Sequence, residues 1–277
     1  MSIFNAVVLG LIQGVTEFLP VSSSGHLSIA QNLLNIQSVG EEHLLFDMLL
    51  HLGTLFAVLV FYRQDVLDMI REFIFGVRDL ATGRTPNPVP AARRLVLLVV
   101  LGTLPLVLIL PIKDLVEGLY YNTVFIGFAL LVTGCLLYFS DRVNKGSKTE
   151  KTATVKDVLL VGLCQALATL PGISRSGMTI TAGCFRGFDR KFAVRYSFLL
   201  SIPAILGANI LDVGEALAEG IEPGLLPIYA VGVVAAAVSG YLCLKLLRYV
   251  ADKGRFGGFA YYCWFAGVAT LILTMVL

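Results

Sequence analysis

Residues 13–26 place an amide, a carboxylate, three consecutive serines and an imidazole in a stretch that is otherwise apolar enough to enter a membrane. No lysine or arginine precedes Arg63, so this cluster has no cation near it in the sequence. Ionisable groups at membrane depth are costly, and those that occur there are usually functional or paired. We therefore interpret residues 13–26 as one half of a functional site that needs a positive charge from elsewhere.

The same pattern recurs later in the chain at a constant offset of 152 residues. Residues 10–13 (Gly-Leu-Ile-Gln) return as 162–165 (Gly-Leu-Cys-Gln), and residues 22–25 (Ser-Ser-Ser-Gly) return as 174–177 (Ser-Arg-Ser-Gly). The second copy contains Arg175, the cation that the first copy lacks. The repeat therefore predicts an acidic and a basic half-site that meet in the folded protein.

Gln13 and Glu17 are four residues apart, so on a helix they share one face. An amide oxygen and a carboxylate are hard ligands that suit Mg²⁺ or Ca²⁺, with waters and a bound phosphate completing the coordination. The alternative is that nearby hydroxyls and backbone groups satisfy Glu17 without a metal. We predict a divalent-cation site at Gln13 and Glu17.

Both serine segments are typical of a helix break followed by a helix start, where serines act as N-caps. The free N–H groups of such helix ends bind anions, and the planar guanidinium of Arg175 can hold phosphate oxygens bidentately. Two such ends would grip a diphosphate; alternatively, the serines only cap and Arg175 snorkels or pairs with Glu17. The predicted substrate-binding residues are Ser22, Ser24, Gly25, Ser174, Ser176 and Gly177.

Histidines accompany two of these polar positions. Ser23 and His26 are three residues apart and would face one way on a helix, where a hydroxyl beside an imidazole could serve as nucleophile and base. Asp47 and His51 are four apart at the start of an apolar span. Either they orient the site residues without contacting substrate, or they form a simple pair on the helix surface. The second interpretation is the one we favour. His43 is predicted to lie in a loop.

The composition predicts a polytopic α-helical membrane protein. Of the 277 residues, 57% are hydrophobic and 14% charged, whereas charged residues make up about 25% of a typical soluble domain. The apolar runs lack the alternation of a barrel strand. A formal net charge of +2 is too small to indicate a nucleic-acid partner. We expect one integral membrane domain over residues 1–277, with repeat 1 at about 1–140 and repeat 2 at about 156–277.

Six apolar stretches are predicted to cross the bilayer, because each approaches the roughly 20 residues that a crossing needs. Two others, residues 3–36 and 156–185, are broken by proline, glycine and serine. Such breaks are tolerated at membrane depth only where protein or a water-filled cavity covers the freed backbone groups. We interpret both as re-entrant helical hairpins. The predicted crossings are 44–62, 95–112, 123–140, 196–212, 225–247 and 259–277.

The distribution of lysine and arginine predicts the orientation. Residues 63–94, 141–156, 186–195 and 245–255 are rich in cations. The positive-inside rule therefore puts them in the cytoplasm and both termini outside. Three crossings separate the hairpins, so the repeats are inverted, an arrangement that places a site where the two breaks meet. Alternating charged and apolar residues at 65–80 predict an amphipathic helix at the inner surface, although a solvated loop is nearly as plausible.

Two segments carry a resemblance to a known family. Gln-x-x-x-Glu followed by Phe-Leu-Pro-Val-Ser-Ser-Ser-Gly-His (13–26) and Pro-Gly-Ile-Ser-Arg-Ser-Gly (171–177) resemble the signatures of the undecaprenyl-diphosphate phosphatases, the bacitracin-resistance proteins of the bacterial inner membrane. The resemblance implies removal of the terminal phosphate of undecaprenyl diphosphate with a divalent cation, which recycles the carrier lipid for cell-wall synthesis. Some family members have Glu where this chain has Gln13, and this difference shifts the metal-binding role towards Glu17.

The combined prediction is a lipid diphosphatase whose catalytic residues are Glu17, Ser23, His26 and Arg175. Glu17 and Gln13 would hold Mg²⁺ or Ca²⁺, and Arg175 would stabilise charge during phosphoryl transfer. Ser23 is the candidate nucleophile with His26 as base, and direct attack by His26 is the close alternative.

Two further questions stay open at this point. Inverted repeats with broken helices also occur in transporters, so the alternative function is a flippase of the polyprenyl phosphate lipid. A flippase, however, needs neither His26 nor a metal-binding carboxylate. Gly232, Ala236 and Gly240, spaced by four, predict close helix packing. That contact lies either within one chain or between the subunits of a homodimer.

Overall fold

The protein, described here from a computed structural model, is helical over most of the residues that the structure describes. One isolated parallel bridge pairs Lys148 with Phe188. The structure describes residues 1–33, 44–83, 86, 88–143, 145–218, 223–253 and 256–276. The helices are α1 (Ile3–Phe18), α2 (Ser23–Leu33), α3 (Leu44–Phe61), α4 (Arg63–Thr82), α5 (Ala91–Thr103), α6 (Lys113–Gly118), α7 (Thr123–Ser140), α8 (Val155–Leu167), α9 (Arg175–Phe185), α10 (Arg190–Ala218), α11 (Leu226–Lys253) and α12 (Gly257–Val276).

The predicted class, an all-α polytopic membrane protein, is confirmed. Five helical stretches are long and apolar enough to cross a membrane, and α3 makes a sixth when it is counted together with the helix that follows it. The second crossing continues from α5 through a 3₁₀ helix, Leu104–Ile112, because Pro105 and Pro111 interrupt regular α-helical hydrogen bonding there. The five stretches are Ala91–Tyr121, Thr123–Ser140, Arg190–Gly214, Leu226–Ala251 and Gly257–Met275.

The helices of two predicted crossings, 196–212 and 225–247, extend beyond the predicted bounds. α10 begins at Arg190, so the cations of segment 186–195 lie partly on a helix, and α11 runs on to Lys253. Charged residues lower local hydropathy but do not stop a helix, since arginine and lysine have good helix propensity. Hydropathy therefore marked the apolar part of each helix and missed its polar ends.

The amphipathic helix predicted at 65–80 is present as α4. The chain turns by 86° between Leu45–Phe61 and α4, and α4 has no buried residue. Most of its apolar side chains, among them Leu67 and Ile74, are exposed, while Val66 and Met69 pack partly against the core. An unburied apolar helix face is typical of a helix lying on a membrane surface, so its location at the inner surface stays a prediction.

Both predicted hairpins are pairs of helices with a break between them. The first consists of α1 and α2, and the second of α8 and α9. The first break contains Ser22 at φ 72° and the second contains Gly172 at φ 88°. The left-handed conformation is costly for serine and free for glycine. Residues 34–43, including the end of the first predicted hairpin and His43, lie outside the described residues.

Glycines at equivalent repeat positions let each hairpin pack closely against a crossing helix. A Cβ atom on Gly10 of α1 would lie 2.3 Å from the Gly232 carbonyl oxygen of α11. One on Gly162 of α8 would lie 2.2 Å from the Gly102 carbonyl oxygen of α5. Each hairpin thus packs on a crossing helix from the other half of the sequence. This reciprocal packing is consistent with two repeats, and their inverted relation stays a prediction.

The small-residue stripe on α11 makes its contacts within the chain. A Cβ atom on Gly14 would lie 2.4 Å from the Ala236 carbonyl oxygen, and one on Gly240 would lie 2.6 Å from the Phe18 ring. These contacts hold α1 against α11 along its length. The stripe is therefore used inside one subunit, and the homodimer stays a prediction without support from it.

Candidate functional site

Glu17, next to the last residue of α1, joins the two half-sites. Arg175, the first residue of α9, donates from Nη2 to Glu17 Oε1. The Glu17 side chain is 5% exposed and that of Arg175 is 20% exposed. A buried carboxylate needs a paired charge and hydrogen bonds to stay ionised. The structure brings the acidic and the basic segment together through this ion pair, between residues 158 positions apart.

The second oxygen of Glu17 receives two further hydrogen bonds. Ser23 Oγ donates to Glu17 Oε2 at 2.5 Å, and Gln13 Nε2 donates to the same atom at 3.1 Å. Ser23 is the first residue of α2, so the break in the hairpin places its hydroxyl directly against the carboxylate. A short hydrogen bond to an ionised acceptor is strong. Glu17 is thus the group in position to accept the Ser23 proton.

His26 is held on the other side of the first turn. Its Nδ1 donates to the Ser22 carbonyl oxygen at 2.7 Å, because a carbonyl can only accept. The other ring nitrogen, Nε2, then accepts from the Tyr262 hydroxyl at 2.8 Å, and the two rings stack with centroids 5.6 Å apart. Both ring nitrogens are therefore occupied, and neither contacts Ser23 in this state.

Tyr262 is a residue that the sequence did not reveal. It lies on α12, 236 positions after His26. Tyrosine near the end of a crossing helix is common as an interfacial anchor, so its type carried no signal. Only the packing of the last crossing beside the first hairpin brings it to the site.

The capping pattern is the same in both turns. In the first, Ser22 Oγ lies 3.2 Å from Ser24 Oγ and accepts from Gly25 N at 3.3 Å. In the second, Ser174 Oγ lies 3.3 Å from Ser176 Oγ and accepts from Gly177 N at 3.1 Å. The turns also touch, since Ser24 Oγ accepts from Gly172 N at 3.4 Å. The hydroxyls of Ser22 and Ser174 therefore serve as N-caps, as both interpretations of the serine segments predicted.

The amides that follow each cap remain available. Within the described residues, the backbone N–H groups of Ser23 and Ser24 on α2 have no protein acceptor, and the same is true of Arg175 and Ser176 on α9. First-turn amides of this kind, at the positive ends of two helices, form an anion-binding site. The two ends flank the Arg175–Glu17 pair.

Asp47 and His51 lie beside the site and do not pair through their side chains. His51 Nε2 is 3.9 Å from Glu17 Oε2, and its Nδ1 donates to the Asp47 backbone oxygen at 2.8 Å. The Asp47 carboxylate accepts from Gln31 Nε2 at 2.9 and 3.0 Å. The favoured prediction of a simple helix-surface pair is therefore wrong. The pattern was ambiguous because four-residue spacing does not show which neighbour the helix face meets.

The oxygen donors fit a hard divalent cation only in part. Among the described residues there is no group of three or more histidine, cysteine, aspartate or glutamate side chains that could hold a metal. Gln13 Oε1, however, is buried without a hydrogen-bond partner, and the Nε2 of the same side chain donates to Glu17. An unpartnered amide oxygen next to a carboxylate suits Mg²⁺ or Ca²⁺, whose remaining ligands can be waters and phosphate.

Comparison with known proteins finds one family and its relatives over nearly the whole chain. Residues 6–269 match the family model described as bacitracin resistance protein BacA. A relative from Alkaliphilus metalliredigens is 42% identical over 278 residues and one from Methanosphaera stadtmanae is 40% identical over 283, each covering the whole of both chains. A third, from Carboxydothermus hydrogenoformans, is 40% identical over 279 residues, or 99% of this chain and 98% of the relative. All three are described as undecaprenyl-diphosphatase.

Proposed function

The chain belongs to the bacitracin resistance protein BacA family, and from this premise we propose that it hydrolyses undecaprenyl diphosphate to undecaprenyl phosphate and phosphate. The observation that carries the proposal is the Arg175–Glu17 contact, which joins a carboxylate, a serine hydroxyl and two helix N-termini in one site. The relatives are described as diphosphatases, so hydrolysis is favoured over the flippase alternative. The protein would act in the cytoplasmic membrane with both termini outside, which the loop cations support.

Substrate binding would begin with the terminal phosphate of the lipid. Arg175 and the first-turn amides of α2 and α9 are the donors for its oxygens. Arg175 would exchange Glu17 for phosphate as its partner. Without substrate, Arg175 and Glu17 are therefore paired with each other. Bound substrate would separate them, so that Arg175 contacts phosphate and Glu17 remains with Ser23.

The chemistry assigned to the protein is nucleophilic attack by Ser23. Its oxygen forms a bond to the terminal phosphorus while the bond from phosphorus to the bridging oxygen breaks, and undecaprenyl phosphate leaves. The Ser23 proton passes to Glu17, its acceptor at 2.5 Å, and water then hydrolyses the phosphoserine. Glu17 thus takes the role of base first assigned to His26, and attack by His26 is less favoured because Tyr262 occupies its Nε2.

A divalent cation would be held by Glu17 and Gln13, with Ser23 adjacent. When bound, such an ion neutralises phosphate charge and polarises the phosphorus–oxygen bonds. The orphaned Gln13 Oε1 supports this assignment. The residues of the chain still perform the separate tasks described above: Arg175 orients the phosphate, and Glu17 accepts the proton.

Phosphate release from undecaprenyl diphosphate by detergent-purified protein tests the function. We expect release with Mg²⁺ or Ca²⁺, loss with a chelator, and loss in Glu17→Gln. Glu117→Gln is the matched control, because Glu117 is an exposed carboxylate on α6 that pairs only with Lys113 in the described structure. Folded wild-type protein that binds the lipid and releases no phosphate under any metal condition would contradict the proposal.

Labelling tests the nucleophile separately. Substrate carrying ³²P in its terminal phosphate should leave label on wild-type protein after rapid acid quench and none on Ser23→Ala. The control Ser201→Ala removes a buried hydroxyl that donates only to the Phe198 carbonyl oxygen. Hydrolysis without any trapped label would favour direct attack by water.

A further inference from the structure

A cavity of about 760 Å³ lies at the far end of α3, where α3 and α4 meet α10 and α11. His51, beside the catalytic carboxylate, and Phe61, in the cavity wall, are both on α3. Ten residues of α-helix separate them, which corresponds to roughly 15 Å at about 1.5 Å per residue. The cavity is therefore distinct from the site between the hairpins.

Cations dominate the charged lining of this cavity. Arg63 begins α4, Lys191 and Arg195 are four apart on α10, and Lys245 and Arg248 are three apart on α11. Asp65 is the single carboxylate among the lining residues. Like charges three or four residues apart on one helix repel each other. Two such pairs and Arg63 facing one cavity thus form an arrangement that an anion would stabilise.

Carboxylates pair with Arg195, whereas three other cations of the lining form no ion pair with any residue that the structure describes. Arg195 donates to Asp65 at 2.5 Å and lies 3.7 Å from Glu150. Arg63, Lys245 and Arg248 form no ion pair within the described part of the chain, although Lys245 lies 4.6 Å from the centre of the Tyr241 ring. The positive-inside rule explains why cations occur at one end of the molecule. The rule does not explain why cations from three helices, α4, α10 and α11, line the same cavity.

The uncharged walls indicate what kind of anion would fit. Phe61, Tyr62, Tyr241 and Val194 provide aromatic and apolar surface next to the cations. A volume of this size lies within the range of roughly 300–1,000 Å³ common for small-ligand sites. Arginine and lysine recognise phosphate oxygens, and basic pockets between crossing helices hold anionic lipid head groups.

We propose that this cavity binds a phosphate group, carried either by the head group of an anionic phospholipid or by free inorganic phosphate. The apolar walls favour the lipid as the source. The proposal is independent of the diphosphatase reaction, because it concerns residues that do not contact Glu17, Ser23 or Arg175. Its test therefore measures binding.

Native mass spectrometry of detergent-purified protein would follow binding of dioleoylphosphatidylglycerol against dioleoylphosphatidylcholine. The pocket variant is Arg63→Gln with Lys245→Gln and Arg248→Gln. Its matched control is Arg78→Gln with Lys151→Gln and Lys156→Gln, exposed cations outside the cavity. A second arm measures the thermal midpoint of each protein with and without inorganic phosphate. Far-UV circular dichroism checks that the variants keep their helices.

The wild-type protein and the control should bind phosphatidylglycerol more tightly than phosphatidylcholine. The pocket variant should lose that preference, with affinity reduced at least about 10-fold because three charge-assisted contacts are removed. A phosphate-induced rise in midpoint that the pocket variant alone lacks, without lipid preference, would assign the site to free phosphate. Wild-type protein that shows neither effect would overturn the proposal, as would equal losses in both variants.

Discussion

The two hairpins have the same backbone plan and different chemistry. Both begin a helix after a serine cap, and each cap accepts from the amide three residues later. At the position of Glu17 the second hairpin has Thr169, whose hydroxyl donates only to the Ala166 carbonyl oxygen. At the position of Ser23 it has Arg175. The comparison shows that one backbone plan carries a carboxylate and a serine hydroxyl in one copy and a cation in the other.

Their turns also differ in conformation. The first turn forces a non-glycine residue, Ser22, to φ 72°, whereas the second uses Gly172 at φ 88°. A left-handed serine costs roughly 1–2 kcal/mol, and such strain often marks functional sites. In the first hairpin, the strained residue also provides the carbonyl oxygen that orients His26. The copy that contains Glu17 and Ser23 therefore carries strain that its repeat avoids.

The largest expected effect comes from removing Arg175, the cation of the second hairpin that contacts the first. Arg175→Ala should reduce kcat/KM about 10²- to 10³-fold, since it removes a charge-stabilising donor. Arg175→Lys should recover only part of this, because lysine cannot bind phosphate bidentately. Phosphate-release kinetics measure both. Arg142→Ala, an exposed arginine stacked on Tyr138, should leave the rate unchanged, and equal loss in that variant would point to general destabilisation.

Substitutions at Gln13 and at its repeat equivalent, Gln165, are expected to affect different properties, metal binding in one case and stability in the other. Gln13→Glu should lower the metal concentration for half-maximal activity about 10-fold, because a second carboxylate joins Glu17. Gln165→Glu, at the equivalent position, buries a charge where neither amide atom now has a partner. It should reduce the free energy of unfolding by about 3 kcal/mol. Metal titrations and thermal midpoints distinguish them; similar metal effects in both variants would contradict the asymmetry.

The glycine pair tests whether the two scaffolds are equivalent. Gly10→Ala and Gly162→Ala should each destabilise the protein by about 1–3 kcal/mol, because a methyl group overlaps the facing carbonyl oxygen. Chemical or thermal unfolding in detergent measures the change. Gly207→Ala is the control, since a Cβ atom added there would meet no other atom within 4 Å and alanine favours the helix. A tolerated change at one glycine alone would show that the repeats pack differently.

The smallest expected effect is at the contact between His26 and Tyr262. Tyr262→Phe keeps the ring and removes the hydroxyl that donates to Nε2, at a cost of about 1 kcal/mol. This contact holds the His26 ring against the first turn, which also presents Ser23 to Glu17, so its loss should disturb that turn and lower kcat about 5-fold with KM unchanged. Tyr261→Phe, the exposed neighbour, is the matched control. An unchanged rate in Tyr262→Phe would show that the contact between Tyr262 and His26 does not help to position the first turn for the reaction.

Local features of the chain were predictable because they depend on neighbours in sequence. Hydropathy gave the crossings, and α7 matches its predicted bounds because an asparagine cap at Asn122 and an apolar run define it. Proline, glycine and serine located both hairpin breaks. The repeat at an offset of 152 residues predicted that the acidic and basic segments meet in the folded protein. The 3₁₀ helix at Leu104–Ile112 was not predicted, since its two prolines read equally well as part of one straight crossing.

From the sequence alone we could predict the class of protein, the two broken helices and a set of candidate residues for acting on a phosphate. The partners of these residues became clear only from the folded chain: Ser23 contacts Glu17 instead of His26, His26 contacts Tyr262, and His51 lies beside Glu17. The physical reason is that spacing along a helix fixes which residues share a face. The rotation and packing of distant helices decide what that face meets.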